Sequence, residues 1–287
     1  YEDGGPCADP DVVATEAQPG WMPACACRTR GADINFNGAN LAGAHLADAH
    51  LSGSTFVGAA LGDSLQAPMY QPFDCELPQG CEWIERDACE GLPRACGVTP
   101  TIFAGARLDR AQLSGQTFTH VDLRDVRARD ASLSNASFPR SALSHVDFSG
   151  AQAEQIDLSG LDLIAANLSG ATITNANLER ANLEGSNLEG ATFSSTVLTG
   201  ARFEGASCAG ARFDGARLNE GNFRGVDFGG LAFFDQTDLR RADLSGANLT
   251  AAHLSNADLS EANLSGANLS GANLSASDLS RAYLPGA

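Results

Sequence analysis

Eight cysteines are the residues of this 287-residue chain that could form covalent links or bind metal. Seven of them are concentrated in two proline-containing segments that lack a regular pattern, residues 1–33 and 62–100. They are Cys7, Cys25, Cys27, Cys75, Cys81, Cys89 and Cys96. Such clustering is typical of disulfides formed in an oxidising compartment. We therefore expect these seven cysteines to be disulfide candidates and the protein to be extracellular or periplasmic. Reduced thiols in the cytosol are the alternative.

The eighth cysteine, Cys208, stands where Leu or Phe otherwise recurs, so we expect a buried free thiol. Seven cysteines cannot all pair within one chain, so one should be free or link two molecules. A short helix predicted over 79–90 would hold Cys81 and Cys89 about 12 Å apart along its axis at about 1.5 Å per residue. A disulfide needs Cα atoms within about 7 Å, so these two should not pair with each other.

Metal binding and catalysis are not indicated by the remaining residues. Zinc is the alternative role for the cysteines, but neither cluster contains a Cys-x-x-Cys pair or a histidine. No nucleophile elbow, phosphate-binding loop or His-Glu-x-x-His motif occurs. The histidines His45, His50 and His253 fall at outward-facing positions. We expect no enzyme activity, cofactor, metal or small-molecule substrate.

Leu or Phe recurs every fifth residue over most of the chain, without a break from Leu239 to Leu284. On an α-helix this period spreads the apolar residues around the axis, and on a flat strand it moves them to alternate sides. The period works only if the chain turns a corner once per repeat, so that each apolar side chain points at a common axis. It predicts an all-β solenoid.

The phenylalanines indicate how many corners make one coil. Phe193, Phe213 and Phe233 are spaced by twenty, and so are Phe203 and Phe223. Rings pack well when they lie directly above one another. We therefore predict about 20 residues per coil, with the first three rings stacked on one face and the other two on the opposite face.

The Ala-Asn/Asp-Leu-x-x pattern, as in Ala247-Asn248-Leu249, resembles the pentapeptide-repeat family. The resemblance covers roughly residues 36–61 and 101–287. It implies a right-handed quadrilateral β-helix and says little about function, because the repeat is a structural device.

The pattern divides the chain into four parts. Residues 1–33 form a Cys- and Pro-rich cap, 34–61 the first coils, 62–100 a Cys-rich insert and 101–287 the main β-helix. We expect the insert to pack on the cap as an irregular, disulfide-linked N-terminal head. Between Phe233 and Leu239 the spacing is six, which predicts one extra residue near Phe234-Asp235, either a tolerated insertion or a docking feature.

The net charge of −17 argues against nucleic acid as a direct partner. Some acidic proteins of this family mimic DNA and bind DNA gyrase, a type II topoisomerase, so the resemblance offers that function here. However, residues 1–35 carry a net −4 and residues 62–102 a net −5, whereas 240–287 are close to neutral. The chain has no run of eighteen apolar residues, so we expect no membrane span.

The repeats continue to Leu284, and only Pro285, Gly286 and Ala287 follow. A last coil without a cap exposes backbone groups and core side chains. We therefore expect a secreted, self-assembling structural protein that forms a dimer or a filament. The residues expected to mediate this association are Leu264, Leu269, Leu274, Leu279 and Leu284.

Overall fold

The computed structural model describes residues 36, 51, 54–56, 61–62, 102–229 and 232–287. Nearly every repeat within residues 102–229 and 232–287 has one β-bridge residue, one core residue and a two-residue turn. The bridges are parallel, and most of them join residues twenty apart, as in Ile102 with Asp122 and Arg107 with Arg127. One coil therefore contains four repeats. We call its four sides faces A, B, C and D, after the repeats centred on Phe103, Leu108, Leu113 and Phe118.

Backbone hydrogen bonds link each repeat to the next coil on the same face. The Leu168 N–H donates to the Asn187 carbonyl at 2.7 Å, and the Asn187 N–H donates to the Ala166 carbonyl at 2.9 Å. The corner is closed within the repeat, because the Ala171 N–H donates to the Leu168 carbonyl at 3.0 Å. Buried backbone groups are thus paired without long strands.

The last residue of each repeat has positive φ, which is what the third residue of a type II turn requires. Gly160 has φ of 64° and fits without strain because it lacks Cβ. Ala165 has φ of 54° at the next corner, so a non-glycine residue can occupy it. This conformation explains the frequent glycine two places after the Leu or Phe.

The core consists of columns of Leu and Phe along the axis, with the preceding Ala also buried. Phe193 stacks on Phe213 with ring centroids 5.2 Å apart, and Phe203 stacks on Phe223 at 4.5 Å. The two pairs belong to faces C and A, which are opposite sides of the coil. The ring spacing matches the distance of about 4.8 Å between neighbouring strands.

The predicted position of Phe233 is wrong. Phe234, not Phe233, is fully buried and stacks on Phe213 at 5.2 Å. The bridge between Ser207 and Asp227 spans twenty residues and the bridge between Arg212 and Phe233 spans 21. The extra residue therefore lies between Asp227 and Phe233, before the predicted place near Phe234-Asp235. The next ring, that of Phe234, nevertheless stays in the core.

A longer interruption separates the first coils from the main β-helix. Strand β1 (Leu61–Gly62) pairs in parallel with β2 (Phe118–Thr119), and Thr55 pairs with Gln112. These partners are 57 positions apart instead of 20, so the register is offset by 37 residues while the bridge stays on the same face. The predicted cap, residues 1–33, lies outside the described residues, as does the insert except for Gly62.

Candidate interaction surface

The Asn or Asp that precedes many of the core residues shapes the outer surface, a role that sequence reasoning missed. The Asn187 side-chain Oδ1 accepts a hydrogen bond from the Glu189 backbone N–H at 3.1 Å, and Asn263 holds the Ser265 N–H in the same way. This is an Asx turn, for which Asn and Asp are suited because their short side chains reach the backbone two residues on. Asn263 also donates from Nδ2 to Asp243 at 3.0 Å, which links two coils.

Cys208 is fully buried on face B and forms no disulfide. Burial raises the pKa of its thiol because an apolar surrounding disfavours the thiolate, and nearby Asp227 adds to this effect. The side chain therefore serves as a small core residue. The seven cysteines proposed for disulfides lie outside the described residues.

The histidines do not form a metal site in the part of the chain that the structure describes. No group of three or more His, Cys, Asp or Glu side chains there has the arrangement to hold a metal ion. His145 Nδ1 lies 3.6 Å from an Asp125 carboxylate oxygen, and both side chains are exposed. His253 lies against the Phe233 ring. His45 and His50 fall outside the described residues.

The leucines expected to mediate self-association differ in their exposure. Leu264 is fully buried, whereas Leu269, Leu274 and Leu279 are only partly buried against the core. Leu284 is 40% exposed. The partly exposed leucines all belong to the coil that spans 267–287, so this coil offers an apolar edge.

Three faces are almost free of charge over residues 242–287, a stretch that the structure describes completely. On faces A, B and C of these coils, Asp243 is the single charged side chain. The other outward residues are mainly Asn, Ser, Thr, Gly and Ala, with His253 and Tyr283 as the larger ones. We refer to this region as the neutral surface. Two copies of the neutral surface therefore repel each other little by electrostatic interaction.

Face D and its following corner are charged in the same coils. The corner residues of four successive coils alternate in sign: Glu220, Arg241, Glu261 and Arg281. We call them the charge column. Arg241 lies 3.4 Å from Glu220 and 3.8 Å from Glu261, and Arg281 lies 3.6 Å from Glu261. The column was visible in the sequence, but only when repeats are aligned by coil across the extra residue.

A shallow, open depression of about 270 Å³ adjoins this column and is lined by Asn219, Glu220, Arg240, Arg241, Ser260 and Glu261. Arg240 binds Asp238 at 2.7 Å, and the hydrogen bond from Arg240 lowers the pKa of that carboxyl despite its partial burial. The lining side chains neutralise each other. We therefore find no isolated charge here that would capture a small ion.

Arginine and aspartate also pair at the first coils of the main β-helix. Arg124 contacts Asp122 at 2.7 Å, Arg127 contacts Asp109, and Arg129 contacts Asp147 at 2.5 Å. Burial raises the pKa of Asp147, but the hydrogen bonds from Ser149 and Arg129 outweigh it and leave the pKa below its ordinary value. These three aspartates thus each have a positive neighbour.

An outward aromatic contact lies on face C, directly after the extra residue. The Arg212 guanidinium carbon lies 4.2 Å from the centre of the Phe233 ring, which is a cation–π geometry. The His253 ring lies 4.8 Å from the same ring, tilted by 41°. Both neighbours along the axis cover Phe233, which explains how a phenylalanine is accommodated outside the core.

None of the described segments forms a helix long and apolar enough to cross a lipid bilayer.

The chain resembles several solved structures. HetL, a pentapeptide repeat protein involved in heterocyst differentiation regulation in Nostoc sp. strain PCC 7120, is 24% identical with a TM-score of 0.45. The match covers 88% of this chain and 91% of HetL. QnrB1, a plasmid-mediated fluoroquinolone resistance protein, is 20% identical with a TM-score of 0.43, over 64% of this chain and 91% of its own.

A pentapeptide repeat protein from the Arabidopsis thaliana thylakoid lumen is 29% identical over 41% of this chain and 64% of its own, with a TM-score of 0.18. No curated protein matches the chain significantly by sequence. The family model for pentapeptide repeats matches eight times, over residues 32–64, 103–135, 122–160, 141–180, 162–200, 193–230, 232–256 and 252–287. Together with the twenty-residue coil, these matches show that the chain belongs to the pentapeptide-repeat family of right-handed quadrilateral β-helices.

Proposed function

We propose that this protein is a non-enzymatic structural scaffold of an oxidising compartment, outside the cell or in the periplasm, and that it self-associates into a dimer or filament. The observation that carries the proposal is the neutral surface over 242–287. Two copies that approach through it bring small polar side chains together and meet no like-charge barrier. The partly exposed Leu269, Leu274 and Leu279 add apolar area that a second copy would cover.

The β-helix itself suits a structural role. Each coil is hydrogen-bonded to its neighbours on all four faces, and the core columns are continuous from Phe103 to Leu264. Such a rod keeps its outer side chains at fixed intervals of about 4.8 Å. Association through it would therefore give a defined assembly.

Mimicry of a DNA duplex that binds a type II topoisomerase such as DNA gyrase is the alternative function. Residues 102–229 and 232–287 carry 21 acidic and 14 arginine side chains, a net charge of −7. Nine coils at about 4.8 Å give a length of about 43 Å, over which a duplex carries roughly 25 negative charges. Many of the carboxylates also lie beside arginines. The charge pattern therefore favours the scaffold.

Sedimentation velocity of the full chain at increasing concentrations tests self-association. The diagnostic variant is Ser265→Glu/Ser270→Glu/Ser275→Glu, which adds charge to faces A, B and C. Glu184 and Glu189 occupy the same repeat position, so the fold accepts glutamate there. We expect the wild type to form dimers or larger species and the variant to associate much more weakly.

The matched control is Ser114→Glu/Ser134→Glu/Ser194→Glu, which adds the same charge at the same repeat position in earlier coils. This control should associate like the wild type. A wild type that is monomeric at every concentration would overturn the proposal, and so would equal loss of association in both variants. Inhibition of DNA gyrase by a monomeric wild type would establish the alternative.

A further inference from the structure

The charge column is a surface that is complementary to itself when reversed. Its order along the axis is Glu220, Arg241, Glu261 and Arg281, at successive coils about 4.8 Å apart. Read in the opposite direction, the order becomes Arg, Glu, Arg, Glu. A second copy that lies antiparallel therefore places an opposite charge against every member of the column.

The contacts within one chain leave a large part of each of these four side chains exposed. The exposed fractions of the side chains are 56% for Glu220, 64% for Arg241, 49% for Glu261 and 83% for Arg281. Their closest N–O distances lie between 3.4 and 3.8 Å, and none of these pairs is bidentate. A guanidinium has five N–H donors, so both arginines can bind a further carboxylate.

We propose that the charge column is an isologous contact in which two copies pack antiparallel along the corner after face D. Glu220 then faces Arg281 of the second copy, and Arg241 faces Glu261, each pair occurring twice by the two-fold symmetry. This inference rests on the proposed self-association and adds a second contact to the neutral surface. With both contacts, copies can associate side by side through the charge column in addition to the neutral surface.

The alternating signs of the charge column also disfavour the packing of two copies in parallel and in register. Two copies packed parallel and in register would place Glu against Glu and Arg against Arg along the whole column, which is repulsive. The adjoining part of face D does not override this preference, because Arg240 binds Asp238 at 2.7 Å and lies 3.8 Å from Asp258. The corner therefore disfavours a parallel partner in register, and only the antiparallel arrangement pairs all four members of the column with opposite charges.

Charge reversal tests the direction of packing. In Arg241→Glu and in Glu261→Arg, two of the four intermolecular pairs become repulsive. We expect each single variant to weaken this association by about tenfold in sedimentation equilibrium at low salt, where screening is weak. In about 0.5 M NaCl the difference from the wild type should shrink.

The double variant Arg241→Glu/Glu261→Arg separates association from stability. Its column reads Glu, Glu, Arg, Arg, which is again complementary to its antiparallel copy but places like charges next to each other within the chain. We expect association at the wild-type level together with a slightly lower Tm. If the effect of the single variants were purely intramolecular, the double variant would not recover.

The outcomes distinguish this inference from the proposed function. Wild-type association in both single variants would overturn the antiparallel contact, while the neutral surface could still mediate assembly. Failure of the double variant to recover would also overturn it. A wild type without any association would overturn both proposals.

Discussion

At the scale of single residues, neighbouring side chains of the same type have opposite roles. Phe233 and Phe234 are adjacent, yet Phe234 fills the core and Phe233 lies outside between Arg212 and His253. The difference follows from the one extra residue that precedes them. It decides which of the two rings meets Phe213.

Truncating the two phenylalanines should have very different effects. Phe234→Ala leaves a cavity in a closely packed column, so we expect the free energy of unfolding to fall by about 3–5 kcal/mol. Phe233→Ala removes a surface contact and should cost at most about 1 kcal/mol. Urea denaturation followed by circular dichroism measures both. Equal losses would contradict the assignment of the core ring.

The depressed carboxyl pKa values predict a loss of stability in acid. Asp147 and Asp238 have pKa values below their ordinary range, so the folded state binds fewer protons than the unfolded state. Their stabilisation is present above the unfolded pKa of about 4 and is lost as the pH falls towards the folded pKa. We expect Tm to drop between pH 6 and pH 3.

The variant Asp147→Asn/Asp238→Asn provides the control for acid sensitivity. Asparagine keeps the oxygen that accepts the backbone N–H of the Asx turn, as at Asn187, but does not titrate. The Tm of this double variant should be lower than that of the wild type at pH 6 and should change less between pH 6 and pH 3. Identical pH profiles would assign the acid sensitivity to other carboxylates.

At the scale of the repeat, the corner is the strained element. Its residue has positive φ whether it is glycine or not, and for residues with a Cβ this conformation costs roughly 1–2 kcal/mol. The cost is tolerated because the hydrogen bonds to the next coil fix the corner. Ala165, for example, donates its N–H to the Glu184 carbonyl at 2.8 Å.

Glycine substitutions at two adjacent alanines test this strain. Ala165→Gly relieves a positive φ at an exposed corner, so we expect the free energy of unfolding to rise by about 0.5–1 kcal/mol after the entropy cost of glycine. Ala166→Gly alters a buried position that precedes a core residue and should destabilise by about 1 kcal/mol. Chemical denaturation should therefore shift in opposite directions, and a decrease in both variants would refute the strain argument.

The repeat also determines what could be predicted from sequence. The five-residue period and the twenty-residue spacing of Phe193 and Phe213 are enough to predict the coil, because both express the geometry of the core. The place of the extra residue is harder to predict, since Phe233 and Phe234 are equally apolar. Ala232 was the available signal: Ala-Phe-Phe matches the Ala-x-core order with Phe234 as the core residue. The outer charge column depends on residues that no core constraint specifies.

At the scale of the whole molecule, stability is distributed along the axis. Each coil contacts the coils above and below it, so damage should remain near its origin. Leu264 is fully buried one coil before the partly exposed leucines of 267–287. It connects the most exposed coil to the continuous core.

A charge at Leu264 should disorder the last coils and leave the earlier ones folded. Leu264→Asp places an unpaired carboxylate in an apolar core, which costs several kcal/mol. We expect hydrogen exchange by mass spectrometry to show lost protection after about residue 240, together with loss of self-association. Ser265→Asp, with the same charge on the outside, should preserve protection. Unfolding of the entire chain would contradict local stability.

The coil of four equal sides also predicts how the gene can change. Duplication or deletion of twenty codons would alter the length of the rod and leave every downstream side chain on its face. Duplication or deletion of five codons between Glu220 and Arg281 would preserve the core but turn the downstream part by a quarter of a circle, so that Arg281 would leave its column. The faces therefore constrain which length variants of this protein could arise without loss of its surface pattern.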